Sequence, residues 1–154
     1  MTEAERPPAA RPLFIDTGAF YAQFVATAPR RDRATRVFDG IAAGNLPYRP
    51  LFTSTYVLDE LATLILSHRD HTAAVEALDR VSGSPATVIH PDEADFRAAR
   101  EQFSRYENPD ISFTDHVSAR LADERGIEHV FTFDPDHFRT LGFTAVPDDT
   151  GETP

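Results

Sequence analysis

The chain has 154 residues with 41% hydrophobic content, enough to bury one core and within the usual size of one domain. It has no cysteine, which excludes disulfides, thiolate nucleophiles and zinc centres built on Cys, and leaves any metal to oxygen or imidazole ligands. Its 25 acids outnumber 15 basic residues, all arginine, for a formal net charge of -10, so nucleic acid can be held only where arginines are locally concentrated.

Residues 1–11 are rich in Pro, Ala and charge and predict a flexible tail, as does the segment 147–154, leaving a folded unit over 12–146. The first apolar run, Leu13-Phe14-Ile15, predicts a strand that ends at Asp16. A helix over 18–28 follows. The next helix, 32–43, begins in Arg30, Arg31, Arg33 and Arg36, the one concentration of arginine, which suits an RNA contact and a solvated helix start equally. Then come a strand at Leu51-Phe52-Thr53, helices over 55–67 and 71–81, a strand at Thr87-Val88-Ile89 and a helix over 93–106. The turn signal Asn108-Pro109-Asp110 precedes a helix over 112–125. A strand over 129–133, a short helix after Asp134 and a last strand over 144–146 complete the pattern. Strands alternating with helices imply a parallel sheet with crossover helices. No run approaches the roughly 20 apolar residues that span a bilayer, and the first eight residues lack a signal-peptide pattern, so the expected location is the cytoplasm without membrane attachment.

In an open parallel sheet the ligand site forms beyond the carboxyl ends of the strands. Asp16 and Asp134 each follow a strand directly. Either one also suits a helix N-cap, and Pro135 fits the first helical position behind Asp134. In the helix over 55–67, Val57, Leu58, Leu61, Leu64 and Ile65 form one apolar stripe, which turns Asp59 to solvent and leaves Glu60 at its border, about 100° from the centre. Asp115 holds a similar offset on its helix, although Ser112-Phe113-Thr114-Asp115 is equally a capping box. Each acid has a separate structural explanation. Four of them around one sheet edge would repel one another unless a cation were bound, and hard oxygen ligands select Mg²⁺ or Mn²⁺.

The order Phe14-Ile15-Asp16-Thr17, Tyr56-Val57-Leu58-Asp59-Glu60-Leu61, Ser112-Phe113-Thr114-Asp115 and Phe131-Thr132-Phe133-Asp134-Pro135-Asp136-His137-Phe138 resembles the PIN-domain ribonucleases, and among them the VapC-like toxins of type II toxin-antitoxin systems. The resemblance runs from about Leu13 to Gly142. It implies a PIN-like three-layer α/β/α sandwich with a central parallel sheet of four to five strands. It further implies a Mg²⁺- or Mn²⁺-dependent endoribonuclease whose acidic set is Asp16, Glu60, Asp115 and Asp134. Asp136 is implied as a further metal ligand, with Thr114 or Ser112 orienting ligands or water. The implied partners are an RNA substrate, an antitoxin protein and a second copy of the chain. A housekeeping RNA-processing nuclease and an inactive RNA-binding scaffold of the same fold are the alternatives.

Two other acid-based sites are excluded by residues that are missing. A receiver-type phosphoacceptor needs a lysine after its last strand, and a haloacid-dehalogenase-type phosphatase needs Asp-x-Asp where this chain has Asp16-Thr17-Gly18. His68 and His71, three apart, lack a third ligand nearby and read as surface residues; His116 and His137 stand beside site candidates, within reach of a phosphate, but ordinary surface positions are expected for them too.

Overall fold

The structure, a computed structural model, describes residues 9–151. Its elements in chain order are β1 (Arg11–Ile15), α1 (Thr17–Phe24), α2 (Arg31–Ala42), β2 (Tyr48–Ser54), α3 (Thr55–His68), α4 (His71–Ser82), β3 (Thr87–Ile89), α5 (Glu93–Arg105), α6 (Phe113–Glu124), β4 (His129–Phe131), α7 (Pro135–Thr140) and β5 (Thr144–Val146). Neighbouring residues of a strand point to opposite faces, yet Leu13, Phe14 and Ile15 are all buried, so helices cover both faces of the sheet. All pairings are parallel and the strand order is β3-β2-β1-β4-β5, the expected α/β/α sandwich with five strands.

The chain builds outward from β1 through β2 to β3, then crosses to the other side of β1 for β4 and β5. That reversal opens a crevice beyond the carboxyl ends of β1 and β4, the place where ligands bind in open α/β sheets. β4 lies in register with Ile15 opposite Phe131, and the Asp16 amide donates to the Phe131 carbonyl at 2.9 Å. Gly126 (φ 65) and Gly142 (φ 97) adopt left-handed backbone that ends α6 and α7. The Ile127 and Phe143 amides then bond back to Ala122 and Phe138, which aims β4 and β5 into the sheet.

Several boundaries differ from the sequence expectation: β1 begins at Arg11, inside the expected tail, and β2 spans Tyr48–Ser54 rather than 51–53, while three further differences have a local physical reason. α1 stops at Phe24 rather than 28, because Pro29 disfavours helical backbone at Ala28 and Val25 turns into the core with extended backbone. β4 stops at Phe131 rather than 133, because the next residue, Thr132, turns its hydroxyl to Asp16. The segment from Pro147 is packed as far as Gly151 rather than loose. Pro147 is buried, the amides of Asp149, Thr150 and Gly151 bond back to Ala145 and Pro147, and Asp148 and Asp149 pair with Arg33 and Arg139. Most of the expected N-terminal tail, 1–8, and residues 152–154 lie outside the described residues, among which no helix is long and apolar enough to cross a membrane.

Candidate active site

Asp16 sits where β1 opens into the crevice. It occupies the N-cap position of α1, but its side chain makes no capping hydrogen bond. It is 3% exposed, and its Oδ2 accepts from the Thr132 hydroxyl at 2.9 Å. That hydroxyl accepts in turn from the Asp134 amide at 2.9 Å, which commits its single proton to Asp16.

Asp115 does two things at once. It completes a capping box with Ser112: the Ser112 hydroxyl accepts from the Asp115 amide, and Asp115 Oδ2 accepts from the Ser112 amide, both at 3.1 Å. The same Oδ2 lies 3.2 Å from His137 Nδ1. Its carboxylate is buried and acts on Asp16. Burial, first of all, pushes the Asp16 carboxyl up to about 8, and the charges of Asp115 and, more weakly, Glu60 push the same way. The groups that oppose this are neutral, the Thr132 hydroxyl and the Thr17 amide. Asp115 is also raised, by burial and by Glu60, against the pull of Ser112 and His137. Three carboxylates from β1, α3 and α6 thus share one field.

On α3 the burial follows the helix-face argument: Val57, Leu61 and Ile65 are buried, Asp59 is exposed, and Glu60 is half-buried. Glu60 and Thr114 line one open depression, with exposed Asp59 at its edge as well, while the Ser112 hydroxyl is occupied by its cap. Asp134 is exposed at the start of α7 and its carboxylate makes no capping bond; only its backbone amide, through the Thr132 hydroxyl, connects it to Asp16. Asp136 is not brought to the cluster: its side chain is 93% exposed and its Oδ1 is 3.1 Å from Arg139 Nη1.

Among the described residues no group of three or more histidine, aspartate or glutamate side chains is placed to hold a metal ion. An open arrangement fits Mg²⁺, which keeps several waters and is usually held by one or two carboxylates together with substrate phosphate. The mutual repulsion at Asp16 and Asp115 is what such a cation relieves.

Two residues here were not singled out from the sequence. Thr132 falls beside Asp16 only because β4 pairs with β1 across 116 residues, and the one local signal is a buried hydroxyl at a strand end, which must find a partner. His137, expected at an ordinary surface position, reaches Asp115 from α7. His116, also expected at the surface, is fully buried. Its Nδ1 is 2.9 Å from Gln102 Oε1, and its ring packs edge-on against Phe103 and Tyr106. α6 is buried at every position from Asp115 to Ala119, so periodicity could not assign His116 to one face, and the end of α5 covers it.

A family profile described as PIN domain matches residues 13–143. The 23S rRNA-specific endonuclease VapC20 of Mycobacterium tuberculosis is 30% identical over 134 residues, 87% of this chain and 97% of the relative. The crystal structure of M. tuberculosis VapC20, titled a Sarcin-Ricin loop cleaving toxin, superposes with a TM-score of 0.75 at 28% identity, covering 86% of this chain and 96% of that one. VapBC-1 from nontypeable Haemophilus influenzae shares the fold at a TM-score of 0.61 and 14% identity, over 87% of this chain and 96% of that one. A crevice at the sheet reversal, carboxylates contributed by β1, α3 and α6, and a profile match over nearly the whole described chain agree: this protein belongs to the PIN domain family and is a relative of the VapC endonucleases within it.

Proposed function

We propose that this protein is a Mg²⁺- or Mn²⁺-dependent endoribonuclease acting as the toxin of a toxin-antitoxin pair. The observation that carries the reading is the uncompensated carboxylate field at the β1–β4 crevice, where burial and Asp115 hold the Asp16 carboxyl far above its ordinary value. Asp16, Glu60, Asp115 and Asp134 would hold the cation, which supplies an acidified water and offsets the charge developing on the phosphorus oxygens. The chain's own groups orient the ligands. Thr132 fixes Asp16 through Oδ2, and Ser112 and His137 fix Asp115 through Oδ2, so that one oxygen of each is tied and the carboxylate planes are set. Hydrolysis then adds water at phosphorus and breaks one P–O bond of the RNA backbone.

The relative's name makes 23S rRNA the first substrate to examine. Purified protein is incubated with total RNA and with ribosomes in Mg²⁺, Mn²⁺ or EDTA, beside the Asp16→Asn variant, and new RNA ends are mapped. Metal-dependent ends produced only by the wild type support the reading, and identical products from both proteins reject it.

A nuclease of this kind must be restrained in the cell that makes it. An acidic crevice on a protein of net charge -10 suits a basic segment of an antitoxin, with an arginine held by bidentate contacts to the carboxylates. The adjacent gene is expected to encode a small protein with such a segment, and expression of this chain alone is expected to arrest growth. Normal growth of cells that contain active enzyme and no partner would leave the housekeeping-nuclease reading in place. The chain is further proposed to form a homodimer, a reading supported by exposed Leu66 and Val75 on the mutually packed α3 and α4 and tested by light scattering in solution.

A further inference from the structure

Beside the carboxylates lies a small cleft of about 150 Å³, bounded by Gly18, Tyr21, Ala28, Pro29, Arg30, Phe133 and Asp134. Gly18 is two residues beyond Asp16, and Asp134 is two beyond Thr132, so the cleft adjoins the active crevice along both chain segments. Arg30 is the one cation in its lining, and Arg33 stands behind it over the same ring. The guanidinium carbons of Arg30 and Arg33 lie 5.6 and 5.8 Å from the centroid of the Phe133 ring.

Two like charges over one ring repel unless anions balance them. Arg33 has its anion in Asp148 at 3.0 Å. Arg30 has no carboxylate within ion-pair distance among the described residues, in a chain where acids outnumber arginines 25 to 15. Stacking on Phe133 restricts the Arg30 side chain and keeps its fork of donors in place, an arrangement suited to a phosphate.

We propose that this cleft receives the RNA backbone phosphate next to the one being cut, and that Arg30 holds it; the proposal rests on the ribonuclease reading above. A strand crossing the site then lies with its scissile phosphate over the carboxylates and its neighbour on Arg30. The contact is to backbone, so it contributes affinity and register without reading sequence.

The test measures binding of a fluorescent RNA stem-loop across a range of KCl, in the Asp16→Asn background with Mg²⁺ present, so that cleavage does not interfere. Arg30→Gln is expected to weaken binding about tenfold and to reduce the slope of log affinity against log salt by roughly 0.7. Arg30→Lys should keep the slope while recovering part of the affinity. Arg49→Gln, at the opposite end of the sheet at the start of β2, should change neither. In the active enzyme, Arg30→Gln should raise KM more than it lowers kcat. Unchanged affinity and slope in Arg30→Gln overturn the proposal, and so does a loss of affinity with the slope intact, which marks Arg30 as a structural clamp on Phe133. Wild-type protein that binds RNA with an Arg30-dependent slope but never cuts it overturns the nuclease reading and leaves Arg30 only as a backbone-phosphate contact. Absence of RNA binding overturns both.

Discussion

Helix α6 carries a group of acids at each end, and the fold treats the two in opposite ways. Near its C-terminus, Arg120 Nε lies between Asp95 Oδ1 at 3.2 Å and Glu124 Oε1 at 2.6 Å. A hydrogen bond with Glu124, followed by the Asp92 cap and Arg120, holds the Asp95 carboxyl at about 2. Near its N-terminus, Asp115 faces Asp16 and Glu60 with neutral donors and one histidine for company, and the Asp16 carboxyl is driven to about 8. The two groups differ because Asp95 is hydrogen-bonded to Glu124, whose own carboxyl is pushed up in turn, with Arg120 beside both, whereas Asp16 is buried among neutral donors and like charges. A net charge of -10 explains neither. The deficit of cations is local to the crevice, which marks it as a place for a charge brought from outside.

The largest way to break this contrast is to remove the central carboxylate. Asp16→Asn keeps an acceptor for Thr132 but loses the charge, and cleavage should fall by about a hundredfold to a thousandfold, equivalent to several kcal/mol of transition-state stabilisation. Mapped RNA ends should disappear while the circular dichroism spectrum stays unchanged. A metal-free melting temperature clearly below that of the wild type would show instead that Asp16 matters as a structural residue.

The two ends of α6 should also respond to pH with opposite sign. The folded-state value of Asp16, about 8, lies above its ordinary 3.8, so its contribution to stability is fully present below 3.8 and is lost as pH rises through 8. Metal-free protein should therefore melt lower at pH 9 than at pH 5, by an amount on the order of a few kcal/mol, and Asp16→Asn should flatten that slope. The folded-state value of Asp95 is depressed, so its contribution is present above 3.8 and lost as pH falls through about 2. Asp95→Asn should cost stability at pH 7 and reduce the loss on acidification. Thermal melts of the two variants across pH 2–9 separate these behaviours, and parallel curves would mean that the clusters do not differ.

An added cation should convert the repulsive end into a stabilising one. At a hundred times its dissociation constant, Mn²⁺ or Mg²⁺ should stabilise the fold by about 2.7 kcal/mol through mass action. Glu60→Gln should reduce that gain and Asp59→Asn should not, because Glu60 is half-buried toward the cluster and Asp59 is exposed. Equal losses at the two positions would undo the assignment of faces on α3.

The placement of Asp16 and Glu60 was legible because it depends on short-range rules: a strand of three core residues ends at Asp16, and an apolar stripe fixes the border of α3. The strand and helix order was legible for the same reason. Pairing across the sheet was not. Nothing near Thr132 says that β4 lies against β1, so its position at a strand end showed a hydroxyl in need of a partner but not that the partner was Asp16. The contact of His137 with Asp115 likewise depends on how α7 meets α6, and the packing of Pro147 through Gly151 depends on Arg33 and Arg139, far away in sequence. At Asp115 the capping-box pattern and the site pattern were both visible and competed for one residue; in the fold they coexist, since the cap uses Oδ2.

The smallest expected effect concerns the two acids that follow β4. The resemblance placed both Asp134 and Asp136 among the metal ligands, but they lie differently. Asp134 leaves the strand end next to Thr132 with no capping bond, available to the crevice. Asp136 lies one helical step further on, where α7 turns its side chain to solvent beside Arg139, itself shared with Asp149. An exposed pair of this kind contributes only about 0.2–1 kcal/mol. Asp136→Asn should therefore leave cleavage within about twofold and the melting temperature nearly unchanged, because a loss of 1 kcal/mol shifts a domain of this size by about 2–4 °C at most. Asp134→Asn, measured beside it on the same RNA, should weaken Mn²⁺-dependent stabilisation and cleavage together. If Asp136→Asn abolishes cleavage, α7 must rotate or unwind on binding metal and RNA, and the separation between an Asp134 beside the strand end and an Asp136 paired with Arg139 holds only for the free protein.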